Sequence, residues 1–510
     1  MKDFSIIVKG AGITFIGFLA SKVFGYIYSI LLARTLGPEL LGIFSIALGV
    51  LGFSIMFANL GLPYAISRYI AFYRSKGEEE KVKGTLVSGI LINIVSSAFF
   101  ATLLYLSADF IGITIYNQPL LADILRIFAF IVPLGTIVTS LLLAMEGFKK
   151  IKYKIYIRNF IENISKIVLY GAFFLLGFTL MGAALSLLLS YAISLIISFY
   201  FVQKKVYPFV RTKVKADYDF RKLFNFSWPL LAASFFAFML TSIDSFMLGY
   251  FIDTASVGVY SVAETIARLQ LLAYNSLVVL FLPIVTGYFA LGKKQEMKQA
   301  FQLITRWIFS LSLPPLLFFF IFAPQIIVAF YGQEYASGFM ALSILALGFF
   351  VIAAVGPTQS MLRAVGKTKY DLINTVIAGT TNIALNWILI PVYGIVGAAT
   401  ATAASYALWN LLSLVEVFFE TGMHPYNLNY VKSIAAGIIA TAPLFIVSGL
   451  FNFDSLPLLV GLGLAYMALY LLILLLLKGF EKEDFELLLL FEKKIGIQLG
   501  FLNSFVERFI

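Results

Sequence analysis

The sequence predicts an all-α integral membrane protein of about fourteen transmembrane helices, two six-helix lobes in parallel pseudo-twofold repeat plus two extra C-terminal helices. Three observations predict it: composition, the placement of cations, and an internal duplication. The chain has 510 residues, 61% hydrophobic and 12% charged. An ordinary soluble chain is about 45–50% apolar and about 25% charged. So little charge cannot cover a water-soluble body of this size. The apolar runs are long and unbroken, as in 86–106 and 456–477, whereas a β-barrel alternates in segments of about 10 residues.

Along the chain the spans read as 10–33, 40–63, 85–107, 124–146, 156–178, 180–202, 224–250, 257–289, 300–322, 338–362, 370–391, 394–418, 431–451 and 456–477. The first is a permanent helix. Lys2 and Lys9 precede it as in a leader, but the run contains Lys22, continues to Leu32 and meets no A-x-A site. Alternate connections then carry the cations. One side holds Arg74, Lys76, Lys81 and Lys83, later Lys149 to Lys154, the segment 204–222, Lys293 to Lys298, Arg363 to Lys369 and Lys432. With both ends of the chain this makes about 29 Lys and Arg, against Arg34 and Arg126 near the other face. The positive-inside rule puts both termini in the cytoplasm of a multi-pass cell-membrane protein. It also accounts for the net charge of +11 without nucleic acid.

The duplication fixes the organisation. Gly182-Ala183-Ala184 with Ser190-Tyr191-Ala192 returns as Gly397-Ala398-Ala399 with Ser405-Tyr406-Ala407, and Asn159 and Asn374 share that offset of about 215 residues. Near it, Gly42-Ile43-Phe44-Ser45-Ile46-Ala47 matches Gly258-Val259-Tyr260-Ser261-Val262-Ala263. The offset is six helices long, and an even number preserves orientation, so the repeats are parallel. The expected division is an N-lobe 1–203, a charged cytoplasmic linker 204–222, a C-lobe 223–420 and two further helices in 421–480. The tail 481–510 sets Phe485, Leu488, Leu489 and Phe491 among Glu and Lys, which suits an amphipathic helix on the membrane surface.

The chemistry available is narrow. Cysteine is absent and His424 is the single histidine. Thiolate chemistry and Cys/His zinc sites are therefore excluded, and a nucleophilic dyad would have only His424, in a polar connection.

The run Leu36-Gly37-Pro38-Glu39-Leu40-Leu41-Gly42-Ile43-Phe44 resembles the opening of Wzx-type polysaccharide flippases. Ile243-Asp244, Leu248-Gly249 and Val257-Gly258-Val259-Tyr260 fit the second half of that family. So do Gly366-Lys367-Thr368-Lys369, Asn382, Asn386 and Pro391-Val392-Tyr393-Gly394-Ile395-Val396-Gly397-Ala398-Ala399. The resemblance spans essentially the whole chain and implies the MOP superfamily: two lobes around a central cavity, alternating access, no covalent step, and no cofactor beyond coupling to H+ or Na+. It implies a lipid-linked oligosaccharide substrate among membrane lipids. Lipid II flippases carry an arginine in the context seen here as Ser21-Lys22-Val23-Phe24-Gly25, and a later basic residue in helix one where this chain has Tyr28.

A charge at a helix centre costs about 2.5–3.5 kcal/mol on insertion scales, so it faces a cavity or a partner. Lys22, halfway along the first span, is expected to line a cavity. Arg268 is a second candidate cation, with Glu264 one turn before it; Glu162 and Lys166 form the same spacing in helix five. Asp244 has no basic residue three or four positions away and is, with Glu264, a candidate coupling or structural acid: a cation or proton site, or a bond to a neighbouring helix. Arg34 and Arg68, near helix ends, suit interfacial anchoring or phosphate contact. Asn93, Asn275, Asn382, Asn386 and Asn410 could bond sugars or bridge helices. The cations among these residues suit the anionic lipid-linked saccharide that the resemblance implies. The rival is a MATE-type drug or cation antiporter, which would want carboxylates where helix one, between Asp3 and Glu39, has only Lys22.

Overall fold

A computed structural model describes residues 2–427, 429–450 and 455–479. The amphipathic tail expected over 481–510 lies outside the described residues. Among them every regular element is a helix, since unbroken apolar backbone in lipid must satisfy its N–H and C=O groups within each segment.

Eleven of these helices are long and apolar enough to cross a membrane, where about fourteen spans were expected. The difference lies in three places. Helix Lys2–Asn59 holds the first two expected spans and breaks its helical geometry at Gly37 (φ 73°, ψ 172°), followed by Pro38. Glycine adopts the positive φ without steric cost and proline starts the next helix with no N–H to satisfy. Helix Thr368–Thr421 likewise holds two expected spans, broken at Gly394 (φ 55°, ψ −129°) after Pro391. The expected span 156–178 is a composite of Ile151–Ile155, a π-helical turn Tyr156–Ile161 and Glu162–Leu175. Arg158, Glu162 and Lys166 lower its hydropathy.

The chain divides into two compact units, Met1–Gly258 and Val259–Ile510. Helix Phe220–Phe251, which the duplication assigns to the second repeat, belongs to the first unit. Small residues explain how it seats there. A methyl group at Gly61 would meet the Ser227 carbonyl, one at Gly49 the Phe246 ring, and one at Gly52 the Phe238 ring. In lipid there is little hydrophobic drive between helices, so close backbone approach through glycine supplies the packing. Leu223 closes on Leu62 and Ala65 at one end of the contact.

The first unit also contains a reciprocal crossing. A Cβ at Gly42 would strike the carbonyl of Thr254, and a Cβ at Gly258 would strike the carbonyl of Pro38. Gly42 and Gly258 are equivalents in the duplicated sequence, and so are Pro38 and Thr254. The two helix starts thus meet backbone to backbone in matching geometry. In the second unit, Leu277, Phe281, Phe301 and Ile308 form an apolar core. The last two helices, Asn429–Leu450 and Leu456–Leu476, lie against Lys294–Tyr331. Ser433 bonds Ser310 at 2.8 Å, and Tyr466 stacks near Phe318.

Candidate functional site

The charges of the composite segment sit beside its packing on helix one. Ser21, Phe24 and Tyr28 recur at helical spacing and face that segment. Asn163 donates to Ser21 at 3.3 Å, Phe24 meets Phe160 edge-on, and Tyr28 meets Tyr170 at 6.2 Å between ring centres. Lys166 is drawn to the same face, its ammonium 5.1 Å from the Tyr28 ring centre. The ring's negative face holds the cation.

Glu162 and Lys166 make no direct salt bridge, although the charge of Glu162 acts on Lys166. Glu162 pairs with Arg158, one turn earlier, with guanidinium to carboxylate distances of 2.8 and 3.1 Å. Glu162 is buried and its backbone carbonyl accepts from Ser190 at 2.8 Å. Ser190 in turn contacts Ser165 at 3.0 Å. Arg158 escaped the sequence reading because it lies two residues inside the expected start of the span, where cations are ordinarily interfacial. The available signal was a second cation at the spacing of four, on the other side of Glu162.

In the second unit the expected pair forms. Arg268 donates to Glu264 at 2.5 and 3.2 Å and lies 5.6 Å from the Phe349 ring centre. Helix Thr254–Ala267 gives way at Arg268 to a 3-10 turn, Arg268–Gln270, before Leu271–Ala290. The second unit also holds a chain of polar side chains. Tyr260 and Thr402 are 3.4 Å apart, Asn382 donates to Thr402 at 3.3 Å, and Asn386 donates to Asn382 at 3.2 Å. Gln359 links Asn410 (3.1 Å) to Tyr274 (3.1 Å). In the first unit Asn93 donates to Ser140. Asn93, Asn382, Asn386 and Asn410 are all buried; Asn93, Asn382 and Asn410 bond to other segments, and Asn386 bonds to Asn382 one turn earlier, while Asn275 is exposed.

The remaining candidates lie in the first unit. Lys22 and Arg34 are exposed and Asp244 is buried. Arg68 lies 4.3 Å from the Phe226 ring centre and 5.4 Å from that of Tyr69. Lys22, Arg34, Arg68, Glu162, Lys166 and Asp244 thus belong to one unit, Glu264 and Arg268 to the other. On the cation-poor side Arg126 is neutralised locally, bridging Asp109 (2.6 Å) and Asp123 (2.9 Å).

The all-helical fold, with eleven helices able to cross a membrane, is that of a multi-pass membrane protein, and the family comparisons make it a transporter of the MOP type. The family model described as "Polysaccharide biosynthesis protein" matches residues 7–289, more than half of the chain, and MatE matches 229–388. The chain belongs to the polysaccharide biosynthesis protein family. Stage V sporulation protein B of Bacillus subtilis is 22% identical over 94% of this chain and 96% of its own length. The probable low-salt glycan biosynthesis flippase Agl15 of Haloferax volcanii is 24% identical over 81% of each. Among solved structures, the inward closed lipid II flippase MurJ superposes with a TM-score of 0.71 at 17% identity, covering 89% of this chain and 97% of that one.

Proposed function

We propose that this protein is an alternating-access flippase that carries a polyprenyl phosphate- or pyrophosphate-linked oligosaccharide from the inner to the outer leaflet of the cell membrane. Both termini are cytoplasmic in this reading, by the excess of Lys and Arg in alternate connections. The observation that carries it is membership of the polysaccharide biosynthesis family over more than half of the chain. The fixed charges fit. The anionic link of such a lipid cannot cross hydrocarbon unaided, and cations held within the spans offset its charge. Helix one contributes Lys22 and no carboxylate between Gly10 and Arg34, the reverse of what a cationic drug requires. Transport by this route makes and breaks no covalent bond, so no nucleophile or metal is needed.

The test is flipping of a fluorescent lipid-linked oligosaccharide in liposomes holding the purified protein. The parent transports it. Lys22→Ala slows the initial rate by about tenfold or more, the value of one charge-assisted hydrogen bond. Transport unchanged in Lys22→Ala removes that residue from the site. Export of ethidium with no movement of the lipid-linked sugar selects the MATE-type reading instead.

A further inference from the structure

We infer that the first unit carries a headgroup-docking site on its cation-rich side, separate from the intramembrane charges, for the phosphoryl group and first sugar of the prenyl-linked substrate. This rests on the flippase reading and names where the substrate would be received before it is moved. The site is where helix Leu62–Ser75 ends, helix Glu79–Asp109 begins and the linker leads into helix Phe220–Phe251. Two adjoining hollows of about 500 and 420 Å³ open there and share Tyr69, Asp219 and Lys222. The second is partly enclosed and its volume falls in the range of small-ligand sites, about 300–1,000 Å³, while the first is a shallow, wide-open extension of it.

The walls are built, not incidental. The linker is strapped down: Lys83 donates to the carbonyls of Thr212 (3.0 Å) and Val214 (2.8 Å), and the Asp217 amide donates to Glu80 at 3.0 Å. Gly84 admits the Asp217 carbonyl where any side chain would collide. This places Lys222 over a floor of stacked rings. Tyr69 and Tyr73 lie 5.9 Å apart at 22°, and the Lys222 ammonium sits 5.2 and 5.1 Å from their centres while donating to the Tyr73 hydroxyl at 2.6 Å. An ammonium has three donors, and the tyrosine hydroxyl takes one.

The acids in the hollow are largely committed. Glu78 is held by Lys81 at 2.8 Å, and Lys81 and the other nearby cations hold its carboxyl below its ordinary pKa. Asp219 caps the following helix through the Lys222 amide at 3.0 Å. Asp217 and the capping Asp219 remain as counter-charges, two against the three cations Lys76, Arg221 and Lys222. The balance favours an anion, and the tyrosine faces favour a sugar ring beside it. Phe72 and Tyr218, which line the second hollow, are exposed, and so are Phe220, Phe224 and Trp228 on the helix that follows, as aromatic side chains are at the headgroup level of a bilayer. The hollow therefore opens where a lipid head would lie.

The test uses the full-length protein in nanodiscs of phosphatidylcholine, with farnesyl pyrophosphate as the probe and farnesol and phosphatidylglycerol as comparisons, followed by thermophoresis. The parent binds farnesyl pyrophosphate at least about tenfold more tightly than either comparison. Arg221→Gln/Lys222→Gln weakens that binding by a similar factor, and Lys222→Arg restores part of it with Arg221 intact. Unchanged binding in the double variant overturns the site. Phosphatidylglycerol binding as tightly as the pyrophosphate also overturns it, as a bulk-lipid contact. Arg221→Gln alone, on a solvent-exposed side chain, serves should the double variant fail to fold. Parent protein that binds the probe yet flips no lipid-linked sugar would break the flippase reading and leave the site standing.

Discussion

The two intramembrane ion pairs, Arg158–Glu162 in the first unit and Glu264–Arg268 in the second, share a spacing and differ in almost everything else. Their order along the chain is reversed. The first lies where a π turn, Tyr156–Ile161, passes into regular helix, and the second where a regular helix tightens into a 3-10 turn. Both irregularities are of the kind found at hinges and functional sites. Burial has the same sense in both pairs and differs in degree. In the first pair the carboxylate is enclosed and the guanidinium emerges, with side chains 10% and 47% exposed. In the second, the carboxylate and guanidinium are 16% and 35% exposed. The Glu162 carbonyl is tied to Ser190, whereas Arg268 leans on a ring, Phe349. The contrast teaches that equal spacing does not mean equal setting. The first pair is tied into the bundle through the Glu162 carbonyl, and the second sits at a change of helix pitch.

The largest difference is expected in transport by doubly neutralised variants. Replacing both members of a buried pair is often nearly neutral for stability, because no uncompensated charge remains. Glu264→Gln/Arg268→Gln should stay folded and lose about tenfold or more in initial flipping rate, the worth of a charge-assisted contact. Arg158→Gln/Glu162→Gln should keep its rate within about threefold, or less than 1 kcal/mol. Equal losses would make the two pairs functional equivalents and dissolve the comparison.

A middle-sized difference is expected in stability when a single guanidinium is removed. Stranding a buried charge costs about 3–5 kcal/mol, and the lower end applies here because each pair has one partly exposed member. Glu162 is the more enclosed carboxylate, so Arg158→Gln should lower the detergent unfolding midpoint further than Arg268→Gln. The opposite ranking would show that the ring contact of Arg268, not enclosure of the acid, governs the cost.

Much of this could be read from the sequence, and the gaps have physical causes. The corner at Gly37-Pro38 and the pause at Gly394 stand where the first two and the eleventh and twelfth spans were expected to part. Glu264–Arg268 was legible because Glu264 has one cation at helical spacing. Glu162 has two, Arg158 and Lys166, and spacing alone cannot choose between them. The choice was made by Tyr28 on another helix, which took Lys166. The seating of Phe220–Phe251 in the first unit was hidden because it depends on which face of a neighbour carries Gly49, Gly52 and Gly61. Hydropathy, uniform around such a helix, does not report that face. The docking hollow was out of reach for the same reason: its rings and cations come from segments about 140 residues apart.

The smallest effect concerns order. On a helix, a carboxylate placed N-terminal to its cation is favoured over the reverse, because each charge then opposes the nearer end of the macrodipole. Glu264–Arg268 has the favoured order and Arg158–Glu162 the other. Exchanging the members of the first pair, Arg158→Glu/Glu162→Arg, would gain about 0.2–0.5 kcal/mol from this term alone. It would also bury the bulkier guanidinium where the carboxylate now fits, so the net result should be a loss in the unfolding midpoint. The exchange in the second pair, Glu264→Arg/Arg268→Glu, loses the same electrostatic increment but moves the guanidinium less far inward, since its two members differ less in exposure. The two swaps should therefore both destabilise, the first by more, despite the dipole favouring it. A stabilising first swap would mean that the dipole outweighs packing at this π turn, and the burial contrast between the pairs would lose its meaning.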